Sequence, residues 1–249
     1  MRFEGKRVLV TGAASGIGRA TALAFVAEGA AVLIADINEA GLQETVAMAG
    51  SAGEQLSPRR FDANKRENCF ALIDACGDQL GGLDVLCNIA GFAQSRHFAD
   101  FSESDWQNML AVNLSAVFYT CQAAMPELLK SGGNIVNMAS SAGLVGQAYQ
   151  ASYCATKGAV VMLSKSLALE FAARGVRVNA VCPGGVNTPL AHNFSLPDNV
   201  DGKLVERLFP LIDSAEPEEI ATAILYLASA DARFVTGTAF PIDGGQTAG

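Results

Sequence analysis

Basic charge is scarce in this chain. Its 249 residues hold 17 Lys plus Arg against 25 Asp plus Glu, a formal net charge of −8, and only 17% of residues are charged, against roughly 25% in an ordinary soluble chain. Without clustered Lys and Arg there is nothing to hold a phosphate backbone, which excludes nucleic acid as a partner. Histidine is scarcer still, with two copies, and no Cys/His/carboxylate spacing points to a bound metal. His97 and His192 read as loop residues, with a substrate contact as the alternative for His192. Long apolar runs are missing too. The charge-free stretch 106–126 carries Gln107, Asn108, Asn113, Ser115 and Gln122, and 131–156 is rich in Gly, Ser, Asn and Gln, so no membrane span is expected. Met1-Arg2-Phe3-Glu4-Gly5-Lys6 lacks an apolar leader. The six cysteines form no C-x-x-C pair, and several sit in apolar runs such as Val85-Leu86-Cys87. They read as reduced core thiols of a cytoplasmic protein.

Half of the residues are hydrophobic, which excludes disorder. Short apolar runs alternate with helical patterns. The runs are Val8–Val10, Ala31–Ala35, a short one before Phe61-Asp62, Leu83–Asn88, Asn134–Ser140, Val176–Cys182 and Thr238–Ile242. Helical patterns lie near 17–28, 39–49, 65–79, 103–129, 152–172 and 217–229. Near-continuous Val/Ile/Leu strands separated by helices predict an α/β chain: one Rossmann-type domain over 1–249, a doubly wound parallel sheet of about seven strands with helices on both faces. Pro241 places the last strand at an edge. The segment 184–214 carries Pro189, Pro197 and Pro210 and is expected to be an irregular substrate loop or lid.

After the first strand the chain reads Thr11-Gly12-Ala13-Ala14-Ser15-Gly16-Ile17-Gly18. A glycine-rich turn between a strand and a helix brings backbone N–H groups against a pyrophosphate, which then sits at the helix N-terminus. Asp36, followed by Ile37, ends the second strand. A carboxylate there accepts hydrogen bonds from the adenosine ribose hydroxyls and repels a 2′-phosphate. No Lys or Arg stands at 13–15 or 37–38. NAD is therefore expected rather than NADP.

With these residues the chain resembles the short-chain dehydrogenase/reductase family over essentially its whole length. The family's Asn-Asn-Ala-Gly appears as Cys87-Asn88-Ile89-Ala90-Gly91, which keeps Asn88, Ala90 and Gly91 and departs at Ile89. The resemblance implies Asn113, Ser140, Tyr153 and Lys157 as a catalytic tetrad. It implies Asp62 with Ala63 as adenine-side contacts, and Pro183, Gly184, Val186 and Thr188 as the nicotinamide-side loop. It gives Lys157 a second role on the nicotinamide ribose and Asn113 a place in a water-linked proton relay. The chemistry needs these types. Tyr153 and Lys157, four apart on a helix, share a face. A phenol titrates near 10, and a neighbouring ammonium and a positive nicotinamide favour phenolate. Tyr153 then takes a hydroxyl proton while hydride leaves for the nicotinamide, and Ser140 holds the same oxygen. Each residue also has a plain alternative: a surface helix pair for Tyr153 and Lys157, the start of a turn for Ser140, a helix cap or bend for Asn113.

Loops at the carboxyl ends of the strands supply the substrate walls. Candidates are Phe92, Leu144, Gln147, Tyr149, Leu190, Phe194 and Leu196, a mostly apolar set that suits a neutral secondary alcohol or ketone. Two other functions stay open: an NADPH-dependent 3-oxoacyl reductase, and a non-catalytic module that senses NAD. Finally, segments 103–129 and 152–172 are apolar on more than one face. The surplus predicts burial between subunits. The resemblance implies a homotetramer built through these two helices.

Overall fold

The computed structural model describes residues 1–248. Strands β1 (Arg7–Thr11), β2 (Ala31–Asp36), β3 (Leu56–Arg60), β4 (Val85–Asn88), β5 (Asn134–Met138), β6 (Arg177–Pro183) and β7 (Ala239–Ile242) form one sheet. Its order is β3-β2-β1-β4-β5-β6-β7, and every pairing is parallel. The strands are apolar at successive positions because both faces are covered. Leu9 and Leu33 pack with Leu72, Cys121, Leu128 and Val160, which belong to α3 (Arg66–Leu80), α5 (Ala116–Ser131) and α6 (Ala151–Phe171). Val8, Val10, Val32 and Ile34 face the other way, onto Phe25, Leu42 and Ile224. Those three come from α1 (Gly16–Ala27), α2 (Glu39–Met48) and the last long helix, Pro217–Ala228. Both edge strands carry a proline, Pro58 in β3 and Pro241 in β7, where a missing N–H leaves no ladder bond unmade.

Two expected segments differ in detail. The helix over 103–129 is not uniform: α4 (Glu103–Leu110) passes through a π turn at Ala111–Ser115 into α5. The segment 184–214 is not wholly irregular. It holds two short helices, α7 (Pro189–His192) and α8 (Gly202–Glu206), capped by the Thr188 and Asp201 side chains; Pro217–Ala228 is then α9. Ile89 does not disturb β4, whose register to β1 and β5 is regular. Five of the six cysteines are buried, and none is bonded to another. Among the described residues no helix is long and apolar enough to cross a membrane.

The fold fixes where a ligand goes. From β1 the chain winds outward through β2 and β3, then returns to β4 on the other side of β1. The loops after β1 and β4 therefore diverge and leave a crevice at the carboxyl ends of the strands.

Candidate active site

That crevice is a cavity of about 830 Å³. Its nucleotide end is built from backbone. Gly12 has φ +72°, and a Cβ there would lie 2.8 Å from Ala90 Cα. A Cβ on Gly18 would fall 2.0 Å from the Gly12 carbonyl oxygen, so only glycine lets α1 pack against the turn that precedes it. The Ser15 side chain makes no capping bond, which leaves the first N–H groups of α1 for an anion. Thr11 Oγ1 accepts from Ile89 N at 2.9 Å and Ala90 N at 3.1 Å, tying the loop after β4 to β1. Asp36 Oδ2 accepts from Ala14 N at 3.1 Å and Oδ1 from Asn38 N at 2.9 Å, which fixes the carboxylate at the cavity wall. Arg19 lies beneath this turn, a cation that no local motif announces. Its guanidinium is committed to the Ala14 and Gly41 carbonyls, Thr45 Oγ1 and Glu44.

Gly12, Ser15, Gly16, Ile17, Gly18, Asp36, Ile37, Asp62, Ala63, Ala90 and Gly91 all line the cavity, as do Ser140, Tyr153, Lys157, Pro183, Gly184, Val186 and Thr188. A glycine cradle, an open helix N-terminus and a carboxylate at the end of β2 fit a dinucleotide. Asn88 and Asn113 do not line it. Asn88 is buried with Nδ2 donating to Asn137 Oδ1 at 2.9 Å and Oδ1 accepting from Thr120 at 2.8 Å. Asn113 sits in the π turn, fully buried. Its Oδ1 accepts from Phe92 N at 3.0 Å and its Nδ2 donates to Phe92 O at 2.8 Å. The side chain thus holds the chain just after Gly91.

At the other end of the cavity Lys157, on α6, is buried and donates to Met138 O at 2.8 Å. Burial draws its ammonium down to about 8. Tyr153 lies one turn earlier, with the Lys157 nitrogen 5.7 Å from its ring centre. Burial pushes the phenol above its ordinary value, and the neighbouring Ser140 hydroxyl offsets part of that rise. Burial is thus the largest influence on the phenol. Ser140 also caps the turn 141–143 by accepting from Ala142 N at 3.2 Å, so its plain reading and its place beside Tyr153 both hold. Burial pushes Cys69 and Cys182 up to about 11 and Cys76 and Cys121 up to about 12, so these thiols are inert.

Of the expected substrate walls, Phe92, Gln147, Leu190, Phe194 and Leu196 line the cavity, whereas Leu144 and Tyr149 do not. Tyr149 turns outward at φ +66°. Its hydroxyl accepts from Asp201 N at 2.8 Å, and its ring packs edge-on against His97 at 5.3 Å. His97 Nε2 donates to Asp198 O at 2.7 Å, and Ser95 bonds Ser195 O. His97 is therefore part of a fastening between the loop after β4 and the strap 186–214. His192 is exposed and outside the cavity. From the far side, Leu211 N donates to Gly244 O at 2.9 Å and Gln246 Nε2 to Leu208 O at 2.7 Å. Gln150, Ser214 and Gln246 line the cavity as well. Ser214 and Gln246 reach it only through long-range folding, which no local signal announces.

A family model described as enoyl-(acyl carrier protein) reductase matches residues 12–247. The 2,5-dichloro-2,5-cyclohexadiene-1,4-diol dehydrogenase of Sphingobium indicum is 43% identical over 249 residues, covering 100% of this chain and 98% of that protein. The chain belongs to the short-chain dehydrogenase/reductase family. A meso-2,3-butanediol dehydrogenase of Serratia marcescens is 39% identical, covering 100% of this chain and 97% of its own. A crystal structure of 3-ketoacyl-(acyl-carrier-protein) reductase from Brucella melitensis, complexed with NADH, superposes with a TM-score of 0.88 at 30% identity, over 98% of this chain and 99% of that one.

Proposed function

We propose that this protein interconverts a neutral secondary alcohol and its ketone, with NAD(H) preferred over NADP(H). The observation that carries this is the joint placement of Ser140, Tyr153 and Lys157 at one end of a cavity whose other end is a dinucleotide cradle. The nicotinamide, when bound, supplies the hydride acceptor. Tyr153 takes the proton of the substrate hydroxyl at its phenolic oxygen, and in reverse returns it to the carbonyl oxygen. Ser140 holds that oxygen by a hydrogen bond. Lys157 holds the nicotinamide ribose and favours the phenolate by its charge. Asn113 is a positioning residue, keeping the Phe92 backbone and the adjoining Gly91 in place beside Lys157.

The cofactor choice rests on Asp36, which offers acceptors to ribose hydroxyls, and on the lack of a free cation there. Lys157 is the one cation among the described cavity residues, and Arg19 is already bonded to Glu44. The same scarcity supports a neutral substrate. The related butanediol and cyclohexadienediol dehydrogenases favour the alcohol reading over a 3-oxoacyl reductase. Keeping Ser140, Tyr153 and Lys157 together favours an enzyme over a sensor. Five buried free thiols support a cytoplasmic setting. Phe118, Met162 and Leu169 stand exposed on α5 and α6 and support a homotetramer through these helices, which light scattering tests.

A panel of secondary alcohols and ketones, run with both cofactors and followed at the NADH absorbance, tests the reading. Equal kcat/KM with NAD and NADP overturns the cofactor assignment. Tyr153→Phe keeps the ring and removes the proton carrier, so turnover should fall by roughly 10²–10⁴-fold while NAD affinity, read by fluorescence, stays close to that of the wild type. Near-normal turnover would overturn the role of Tyr153.

A further inference from the structure

Three amide and hydroxyl side chains at the substrate end of the cavity form an oriented chain. Gln147 Nε2 donates to Ser141 Oγ at 3.1 Å, and Gln150 Nε2 donates to Gln147 Oε1 at 3.0 Å. The direction of the chain leaves Gln150 Oε1 at its end. Among the described residues no group donates to that oxygen, and it is not one of the polar atoms sealed without a partner. The residue lines the cavity and stands three positions before Tyr153, at the N-terminus of α6. Gln150 and Tyr153 thus line the same cavity from the start of one helix.

That oxygen is not sealed in the protein, so it stands open to the cavity as an acceptor that a ligand can engage. Gln150 is not needed as a helix cap, since its side chain makes no capping bond. Its amide carries no charge, and Lys157, the only cation among the described cavity residues, is engaged with Met138 O. A carboxylate or phosphate on the substrate would find no counter-charge beside Gln150. A hydroxyl fits: it donates to Oε1 and accepts from the second N–H of the same amide. A purely apolar substrate would leave the carbonyl unpaired.

We propose that Gln150 is a specificity residue that binds a second hydroxyl of the substrate, so that the preferred substrates are diols or hydroxy ketones rather than simple mono-alcohols. This deepens the reading as an alcohol dehydrogenase and rests on it. A site built to hydrogen-bond a hydroxyl discriminates strongly against the analogue that lacks it, because its own polar group is then stranded. The test uses matched pairs on the full-length enzyme with NAD: 2,3-butanediol against 2-butanol, and 1,2-cyclohexanediol against cyclohexanol. The wild type should favour the diol of at least one pair tenfold or more in kcat/KM. In Gln150→Leu, and in the more flexible Gln150→Met, that ratio should fall by tenfold or more, mainly through the KM of the diol. A merely structural role for Gln150 would lower both members of a pair alike and leave the ratio unchanged. That result, or a wild type that oxidises mono-alcohols as well as their diols, overturns the assignment and leaves the dehydrogenase reading intact. A wild type that reduces NAD with no alcohol of either kind overturns both.

Discussion

The two ends of the cavity are held by opposite means. At the nucleotide end the contacts are backbone against backbone. Gly12 meets Ala90, Gly18 meets Gly12, and a Cβ on Gly41 would sit 2.8 Å from Ala14 O. No atom there can be added. At the substrate end, side-chain tips and isolated amides do the holding: Tyr149 on Asp201, His97 on Asp198, Gln246 on Leu208. Large apolar side chains of the strap remain in solvent, with Phe209 61% and Leu211 80% exposed. A backbone cradle suits a ligand whose shape never varies. A strap pinned by a few hydrogen bonds opens at modest cost and admits substrate. The contrast implies that a single methyl added at one end matters more than a polar atom lost at the other.

A glycine pair tests this most severely. Gly18→Ala places its Cβ against the Gly12 carbonyl, and we expect a loss of NAD affinity of roughly a hundredfold, the scale of ~3 kcal/mol that overpacking against backbone reaches. At Gly146, in the substrate-side loop, nothing lies within 4 Å of an added Cβ, and Gly146→Ala should change NAD affinity and melting temperature little. Equal effects at the two positions, in affinity or in melting temperature, would break the comparison.

Lys157, at the catalytic end, gives a prediction of intermediate size. Its ammonium is held near 8, against 10.5 for an ordinary lysine. Between those values the unfolded chain binds a proton that the folded chain does not, so this residue makes stability rise with pH there. Below about 8 both states hold the proton and the burial penalty is felt in full. Lys157→Met should therefore raise the melting temperature at pH 7 without cofactor, by about 2–4 °C per kcal/mol relieved. The gain should shrink toward pH 10, and turnover should collapse at every pH. The lost bond to Met138 O offsets only part of the gain. A lower melting temperature at pH 7 would show that Lys157 is a net stabiliser.

The same contrast explains what can be read from the sequence. The nucleotide end is encoded locally: one turn from Thr11 to Gly18 and one acid at Asp36 suffice, and residue types and spacing alone place both. The alternation of apolar runs and helices specifies the parallel sheet, and Pro241 marks its edge. Side-chain direction is not legible in the same way. Asn88 and Asn113 stand where a site reading puts them, yet tertiary packing turns both inward, Asn88 to Asn137 and Asn113 to Phe92. Tyr149 reads as a substrate wall because its neighbours are walls. A positive φ, invisible in a residue that is not glycine, swings it to the outside. Arg19, Ser214 and Gln246 depend on contacts between distant stretches, which no periodicity reports.

The smallest effect should come from Tyr149. Its backbone conformation is costly for a bulky residue, on the order of 1–3 kcal/mol, so the surrounding contacts must hold it there. Two such contacts do so: Arg96 N donates to the Tyr149 carbonyl at 2.8 Å, and Asp201 N donates to its hydroxyl at 2.8 Å. Tyr149→Phe removes the second alone and keeps the ring against His97. A single exposed hydrogen bond contributes roughly 0.5–1.5 kcal/mol, so substrate KM should rise by about two- to tenfold. NAD affinity should not move, because Tyr149 lies outside the cradle. Amide hydrogen exchange over 195–206 should quicken by a similar factor, while exchange in β1 and α1 stays as it was. If opening of the strap limits product release, kcat rises together with KM; if chemistry limits it, kcat holds. Either kinetic pattern, with faster exchange confined to the strap, fits a substrate end held by separable polar contacts. Unchanged exchange over 195–206 would mean that the strap is fastened instead by the Gly244 and Gln246 side, and Gln246→Ala would then be the variant that loosens it.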